Sequence, residues 1–264
     1  MLRNVFTKWL RDARWSLLGW AIAVPAVAAM YAAFWPSMRS PEMMRALEAY
    51  PESVLEALNY NDVTSAAGYL SSAVYGLLIS LLMAVFAIGA GTRAVAGDEE
   101  AGTLDLVLAY PVSRTRLALQ RFAALAVAIG IICTVLWLAM VALRGPAQLE
   151  GISVGELAAM TLQLGLFAAA FGALAFAIGA ATGRKALTLG ISAGVAVLGY
   201  LANGVIPQVE GLEWVRNLSP WHWYLGGDPL VNGLQPRGSA LLLAVTAVLV
   251  AAGVRAFARR DVAV

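Results

Sequence analysis

The run Gly151-Ile152-Ser153-Val154-Gly155 satisfies G-x-S-x-G, the turn that exposes a nucleophilic serine, and the chain also carries one histidine, His222, with Asp228 close behind it. Joined in space, these residues would make a serine-hydrolase triad or the core of a six-span intramembrane protease. That chemistry needs a strand before the turn and an α/β sheet around it, and the pattern around Gly151 offers neither. Ser153 instead stands three residues before Glu156 and just ahead of an apolar run, which is the spacing of a helix capping box. The nearest approach to a phosphate loop, residues 179–186, has the wrong spacing, an inserted Arg184, and Ala186 where a magnesium-binding hydroxyl belongs. It reads as a basic turn between two spans. A single histidine with no cysteine beside it makes a poor zinc site, since such sites use three or four protein ligands. Cys133 is the only cysteine and lies in an apolar run, so no internal disulfide forms. No catalytic, cofactor-binding or metal-binding residue is assigned.

The elements that would position any functional group are membrane helices. Of 264 residues, 61% are apolar and 13% charged, with a mean hydropathy of +0.76, whereas soluble domains carry about 25% charge. A soluble globular fold and a disordered chain are both excluded. The net charge of +2, spread over loops, gives no basic face for nucleic acid. A helix needs about 20 apolar residues to cross the hydrocarbon layer, where every backbone polar group must be bonded internally. Six runs approach that length: residues 16–35, 69–91, 122–143, 157–182, 186–206 and 239–254. The last is short, but Arg237 and Arg255 flank it and can snorkel to the interface. The first exceeds a signal-peptide core of about 7–15 residues and is read as a span.

Basic residues are retained on the cytoplasmic side. The loops that alternate along the chain divide the 18 Lys and Arg into 13 on one side and 5 on the other, which predicts cytoplasmic termini. No Asp, Glu, Lys or Arg falls inside the six runs. Ion-driven transporters usually need such a group at membrane depth. Energy for any transport would therefore enter from outside the membrane through a partner, although an inert multi-span scaffold fits this point equally well.

Three cytoplasmic segments stand out. Residues 1–15 place Leu2, Val5, Phe6, Trp9 and Ala13 on one helical face and basic residues on the other, the pattern of a helix lying flat in the interface. In the loop of residues 98–114, Asp98, Glu99 and Glu100 precede Thr103, which can cap a helix that Pro111 must stop. Leu104, Val107 and Leu108 then form a small apolar patch at i, i+3 and i+4, which on so short a helix needs a surface to dock on. The tail ends Phe257-Ala258-Arg259-Arg260-Asp261.

The run Glu99-Glu100-Ala101-Gly102-Thr103-Leu104 followed by Pro111-Val112-Ser113-Arg114 resembles the cytoplasmic loop of type 2 ABC-transporter permeases. The stretch Ser219-Pro220-Trp221-His222-Trp223-Tyr224, with Asp228-Pro229-Leu230, resembles their segment before the last span, and the tail is similar to theirs. The resemblance implies an all-α membrane protein of six spans with an interfacial N-terminal helix, a coupling helix between the second and third spans, and outer re-entrant helices before the sixth. It further implies that Glu99, Glu100, Gly102, Thr103, Leu104 and Asp105 seat in a cleft of a separate ATPase, with Pro111 to Arg114 leading into the third span. ATP and magnesium would be held by that partner and none by this chain.

Two patterns bear on packing and gating. Gly165, Ala168, Gly172, Ala175, Gly179 and Thr182 form a seam of small residues that lets helix backbones approach, and Gly190 with Gly194 offers a partner face. Trp221, His222, Trp223 and Tyr224 form either an aromatic belt at the membrane interface or an outer gate. The combined expectation is a single permease domain over residues 1–264, in a bacterial plasma membrane. It would act as a homodimer with two ATPase copies and export a lipophilic or amphiphilic substrate. The competing readings are a non-transporting scaffold or sensor subunit and, remotely, the serine hydrolase. The acidic loop of residues 36–68 reads as a solvated face, with docking of a periplasmic protein as the alternative.

Overall fold

The computed structural model describes residues 5–38, 65–100, 102, 113–149 and 151–260, and among these no strand occurs. The chain is an all-α membrane protein with six helices long and apolar enough to span a bilayer. A short helix α1, Val5–Asp12, breaks at Ala13 and leads into α2, Arg14–Met38. Then come α3, Ala66–Gly97, α4, Arg114–Leu143, α5, Val154–Thr182, and α6, Lys185–Gly204, which runs on through a 3₁₀ turn, Ile206–Gln208. Two short helices, α7, Pro220–Leu225, and α8, Pro229–Asn232, precede α9, Pro236–Arg259.

Several helices outrun the apolar stretches that announce them. The third begins at Arg114, eight residues before the run at 122, because the Ser113 hydroxyl accepts from the Arg116 N–H and caps it. The last spans 24 residues, with Pro236 in its first turn and its arginines extending rather than ending it. At 1.5 Å per residue, α4 with its 30 residues is about 45 Å long. A hydrocarbon layer is about 30 Å thick, so α4 projects beyond it.

Helix α5 is the axis of the bundle, packing against α3, α4, α6 and α9. Its small residues permit this. A Cβ on Gly172 would stand 2.9 Å from Leu125 Cδ2 of α4 and 3.6 Å from Ala87 of α3, and a Cβ on Gly91 would overlap the Gly172 carbonyl. Large side chains fill the remaining space, among them fully buried Tyr75, Met83, Leu125, Phe167 and Phe176.

Helix α3 departs from α-geometry at both ends, with π-helical stretches at Leu70–Ile79 and Arg93–Gly97. Such wide turns are rare and concentrate at functional sites. Arg121, which the apolar pattern leaves in a loop, lies on α4 and is only 3% exposed. Its guanidinium donates to the Ala94 carbonyl at 2.5 Å, so the second π stretch has drawn a cation into the bundle.

Candidate functional site: a polar clamp and an aromatic cluster

The end of α3 meets three other helix ends through its acidic residues. After Gly97 the chain makes one more helical turn, Asp98–Glu100, and Gly102, in the left-handed region at φ +64°, donates its N–H back to the Glu99 carbonyl at 3.0 Å. The Glu99 carboxylate pairs with the Arg260 guanidinium just beyond α9, with the two side chains only 17% and 19% exposed. The Arg260 carbonyl in turn accepts from the Arg114 guanidinium at the start of α4. Glu100 Oε1 accepts the Lys185 N–H at 2.8 Å. That donor is one of the first-turn groups of α6 with no partner inside its own helix, and a carboxylate there also complements the helix dipole. Helices α3, α4, α6 and α9 are thereby fastened at one point.

Gly183 makes the close approach possible. It ends α5 in the left-handed conformation at φ +67°, its N–H donating to the Gly179 carbonyl at 2.8 Å. A Cβ there would lie 2.6 Å from Glu99 Oε1 and 2.5 Å from Arg260 Nη1. The residue-by-residue reading took Gly183 as part of a basic turn and missed this role, although a glycine directly after an apolar helix is the signal of a left-handed cap. Of the expected coupling residues, Glu99, Glu100, Gly102 and Arg114 belong to the clamp, whereas Thr103, Leu104, Asp105 and Pro111 lie outside the described residues.

At the far end, Trp221 and Tyr224 of α7 are 2% and 0% exposed. An anchoring belt needs its rings at the lipid surface, so that reading does not hold for these two. They are core residues. The Trp221 ring sits 4.7 Å from Phe167, 5.5 Å from Phe171 and 5.8 Å from Tyr200, edge-on to each, and Tyr224 lies 5.1 Å from Phe167. Edge-to-face arrangements of this kind suit the ring quadrupole. Trp223 and His222 are partly buried, and Trp223 Nε1 donates to the Asn217 carbonyl at 2.7 Å. Burial, then the Arg216 charge, lowers the His222 pKa below its usual 6.5.

Polar contacts lock this cluster to the first π stretch of α3. The Ser80 hydroxyl donates at 3.0 Å to the carbonyls of Gly76 and Leu77 and accepts the Trp221 indole N–H at 3.3 Å, and the Tyr224 hydroxyl donates to the Tyr75 carbonyl at 3.3 Å. The Ser219 hydroxyl, which caps α7, reaches the Gly199 carbonyl of α6 at 2.6 Å. Apolar periodicity alone gives no hint that Ser80 matters; its only signal is a serine amid apolar residues. Ser80 and Glu99 are separated along α3 by 19 residues, roughly 28 Å at helical rise. One helix thus joins the aromatic cluster to the clamp.

The seam residues face inward as a row. Gly165 meets Cys133 of α4, Gly172 sits between α3 and α4, and Gly179 meets Ala96 of α3 and Thr188 of α6. Gly190 and Gly194, expected to supply the partner face, have nothing within 4 Å of an added Cβ, because α6 turns them away from α5. The close partners are instead Gly91 of α3 and Gly253 of α9, where a Cβ would lie 2.8 Å from the Phe176 ring.

Ser153 is used structurally. Its hydroxyl accepts the Glu156 N–H at 3.1 Å while its own N–H donates to the Glu156 carboxylate at 2.7 Å, a complete capping box for α5. Among the described residues no cluster of His, Cys, Asp and Glu could hold a metal.

Comparison with known proteins gives a family and one related sequence. The family model described as "ABC-2 family transporter protein" matches residues 3–262. The protein named "Probable ABC transporter permease protein NosY" of Stutzerimonas stutzeri is 28% identical over 187 residues, covering 62% of this chain. The match spans 64% of that relative's length.

Proposed function

The chain belongs to the ABC-2 family of transporter proteins, so it is a multi-pass membrane subunit of an ABC transporter, and from that premise we propose the following mechanism. The subunit works as an exporter in a bacterial plasma membrane with both termini in the cytoplasm. Two copies enclose the pathway, in the closed symmetry usual for a dimer. A separate ATPase, which carries ATP and magnesium, grips each copy at residues 98–114. Hydrolysis belongs to that partner.

The observation that carries this reading is the clamp. A partner that displaces the segment after Glu100 moves α3 and α4 directly, because both helices end in it. Through Glu99 with Arg260, and Glu100 with Lys185, the same displacement reaches α9 and the turn between α5 and α6. Helix α3 carries it onward to Ser80 and Tyr75, where Trp221 and Tyr224 close the outer end as a gate. Its two π stretches are the compliant points, since a wide turn can tighten to an α turn and shift the residues beyond it. Helix α1 lies in the cytoplasmic interface and steadies α4, against which it packs. The helix centres present no acidic or basic side chain to a cargo, which favours a lipophilic or amphiphilic one.

Purification of the tagged chain from its native host tests the partner. An ATPase encoded beside it co-purifies, and charge reversal at Glu99 and Glu100 leaves ATP hydrolysis running while export stops. Absence of any ATPase from the purified complex, or export undiminished by the reversal, would overturn the proposal.

A further inference from the structure

Two apolar grooves on the flank of the bundle run end to end. The first, about 720 Å³, lies between α4 and α9 and is walled by Leu119, Phe122, Val250 and Val254, with Thr115 and Arg255 at its mouth. The second, about 580 Å³, shares Phe122, Leu243 and Thr246 with it and continues between α4, α5 and α9 as far as Trp137. The mouth lies at the clamp end, where α4 and α9 bring arginines together. Arg114, Arg121 and Arg260 are engaged inside the bundle. Arg116, Arg255 and Arg259 are exposed and make no ion pair among the described residues. The site therefore offers an apolar trough with Arg255 at its mouth and two more exposed arginines close by in sequence, none of them ion-paired among the described residues.

We infer that this trough holds one anionic phospholipid, with one of its two acyl chains between α4 and α9 and its phosphate at Arg116, Arg255 and Arg259. Basic pockets between membrane helices select anionic headgroups through the field of their arginines, and the guanidinium fork fits phosphate oxygens in pairs. The apolar walls accept a hydrocarbon chain and would disfavour a polar one. A second copy of the chain fits less well, because a symmetric contact sets this face against itself. It would bury arginine beside arginine, with no carboxylate among the described residues paired to them. The inference is independent of the coupling proposal and of which way the chain faces, since both leaflets carry phosphates.

The full-length chain is reconstituted in nanodiscs of phosphatidylcholine mixed with phosphatidylglycerol, extracted, and examined by native mass spectrometry for retained lipid. Phosphatidylglycerol should be retained well above its share of the mixture. The enrichment should disappear when Arg116, Arg255 and Arg259 are all changed to Gln. It should also disappear in Leu119→Trp, which fills the trough from an exposed position and leaves every charge in place; Val250→Trp fills it from the opposite wall if that variant aggregates. Retention in the mixing ratio would overturn the inference. So would enrichment that survives both trough-filling variants, which would make the arginines a headgroup site with no groove. Efficient cross-linking of two copies through Val250→Cys in a Cys133→Ser background would overturn it as well, since protein would then cover the trough.

Discussion

Arg260 serves two neighbours at once, its guanidinium holding Glu99 and its carbonyl holding Arg114. Only the first contact depends on the side chain, so the two are separable. Glu99→Arg or Arg260→Glu alone should lower the thermal unfolding midpoint, since hydrogen bonds to charged groups contribute about 1.5–3 kcal/mol and each change leaves a partly buried charge facing its like. The double exchange should recover most of the loss, in stability and in coupling. Failure to recover would mean that the pair does not act as a pair. His222 gives a second prediction at this scale. Because burial lowers its pKa, the unfolded chain binds a proton more readily than the folded one once pH drops below about 6.5, so stability declines as pH falls through that window and is complete above it. The melting temperature should therefore drop more between pH 7.5 and 5 in the wild type than in His222→Gln. Equal pH dependence in the two would remove His222 from the account.

At the scale of elements, the small-residue seam separates two outcomes. Gly172→Leu drives a side chain into Leu125 and Ala87, and overpacking a filled core costs typically about 1–3 kcal/mol. Gly190→Leu meets open space and should leave the melting temperature near wild type. Comparable losses in both variants would contradict the packing described. Ser80→Ala leaves the Trp221 indole N–H buried without its acceptor, a loss of about 1–3 kcal/mol. Tyr224→Phe, which removes the donor and leaves a carbonyl with other options, should be milder. What could be read from sequence follows from the same physics. The six apolar runs and the Ser153 capping box depend on near neighbours in the chain, so they were visible as patterns. The seam of α5 was also visible, but its partners were not: Gly91 and Gly253 are lone glycines with no repeat to mark them, while the more conspicuous Gly190 and Gly194 face away. The burial of Trp221 arises from contacts between distant segments, whereas aromatic composition alone leaves a belt and a gate both open.

For the whole molecule, the decisive arrangement is that one helix carries both sites. The clamp binds residues from the ends of four helices, and its salt bridge joins positions 161 apart in sequence. No local pattern encodes that distance; the resemblance of residues 99–104 and 111–114 to a coupling loop singles out Glu99 and Arg114 for a different role, and the structure adds their contacts with Arg260. The sequence carries no phosphate-loop motif, so the proposed transport needs an outside motor that reaches that region. The most direct test places a cysteine at Leu104 in a Cys133→Ser background. In intact cells Leu104→Cys should resist a membrane-impermeant maleimide, and in isolated membranes it should cross-link to the co-purifying ATPase, more strongly in one nucleotide state than in another. Labelling from outside the cell, or a cross-link to no ATPase in any nucleotide state, would contradict the central claim.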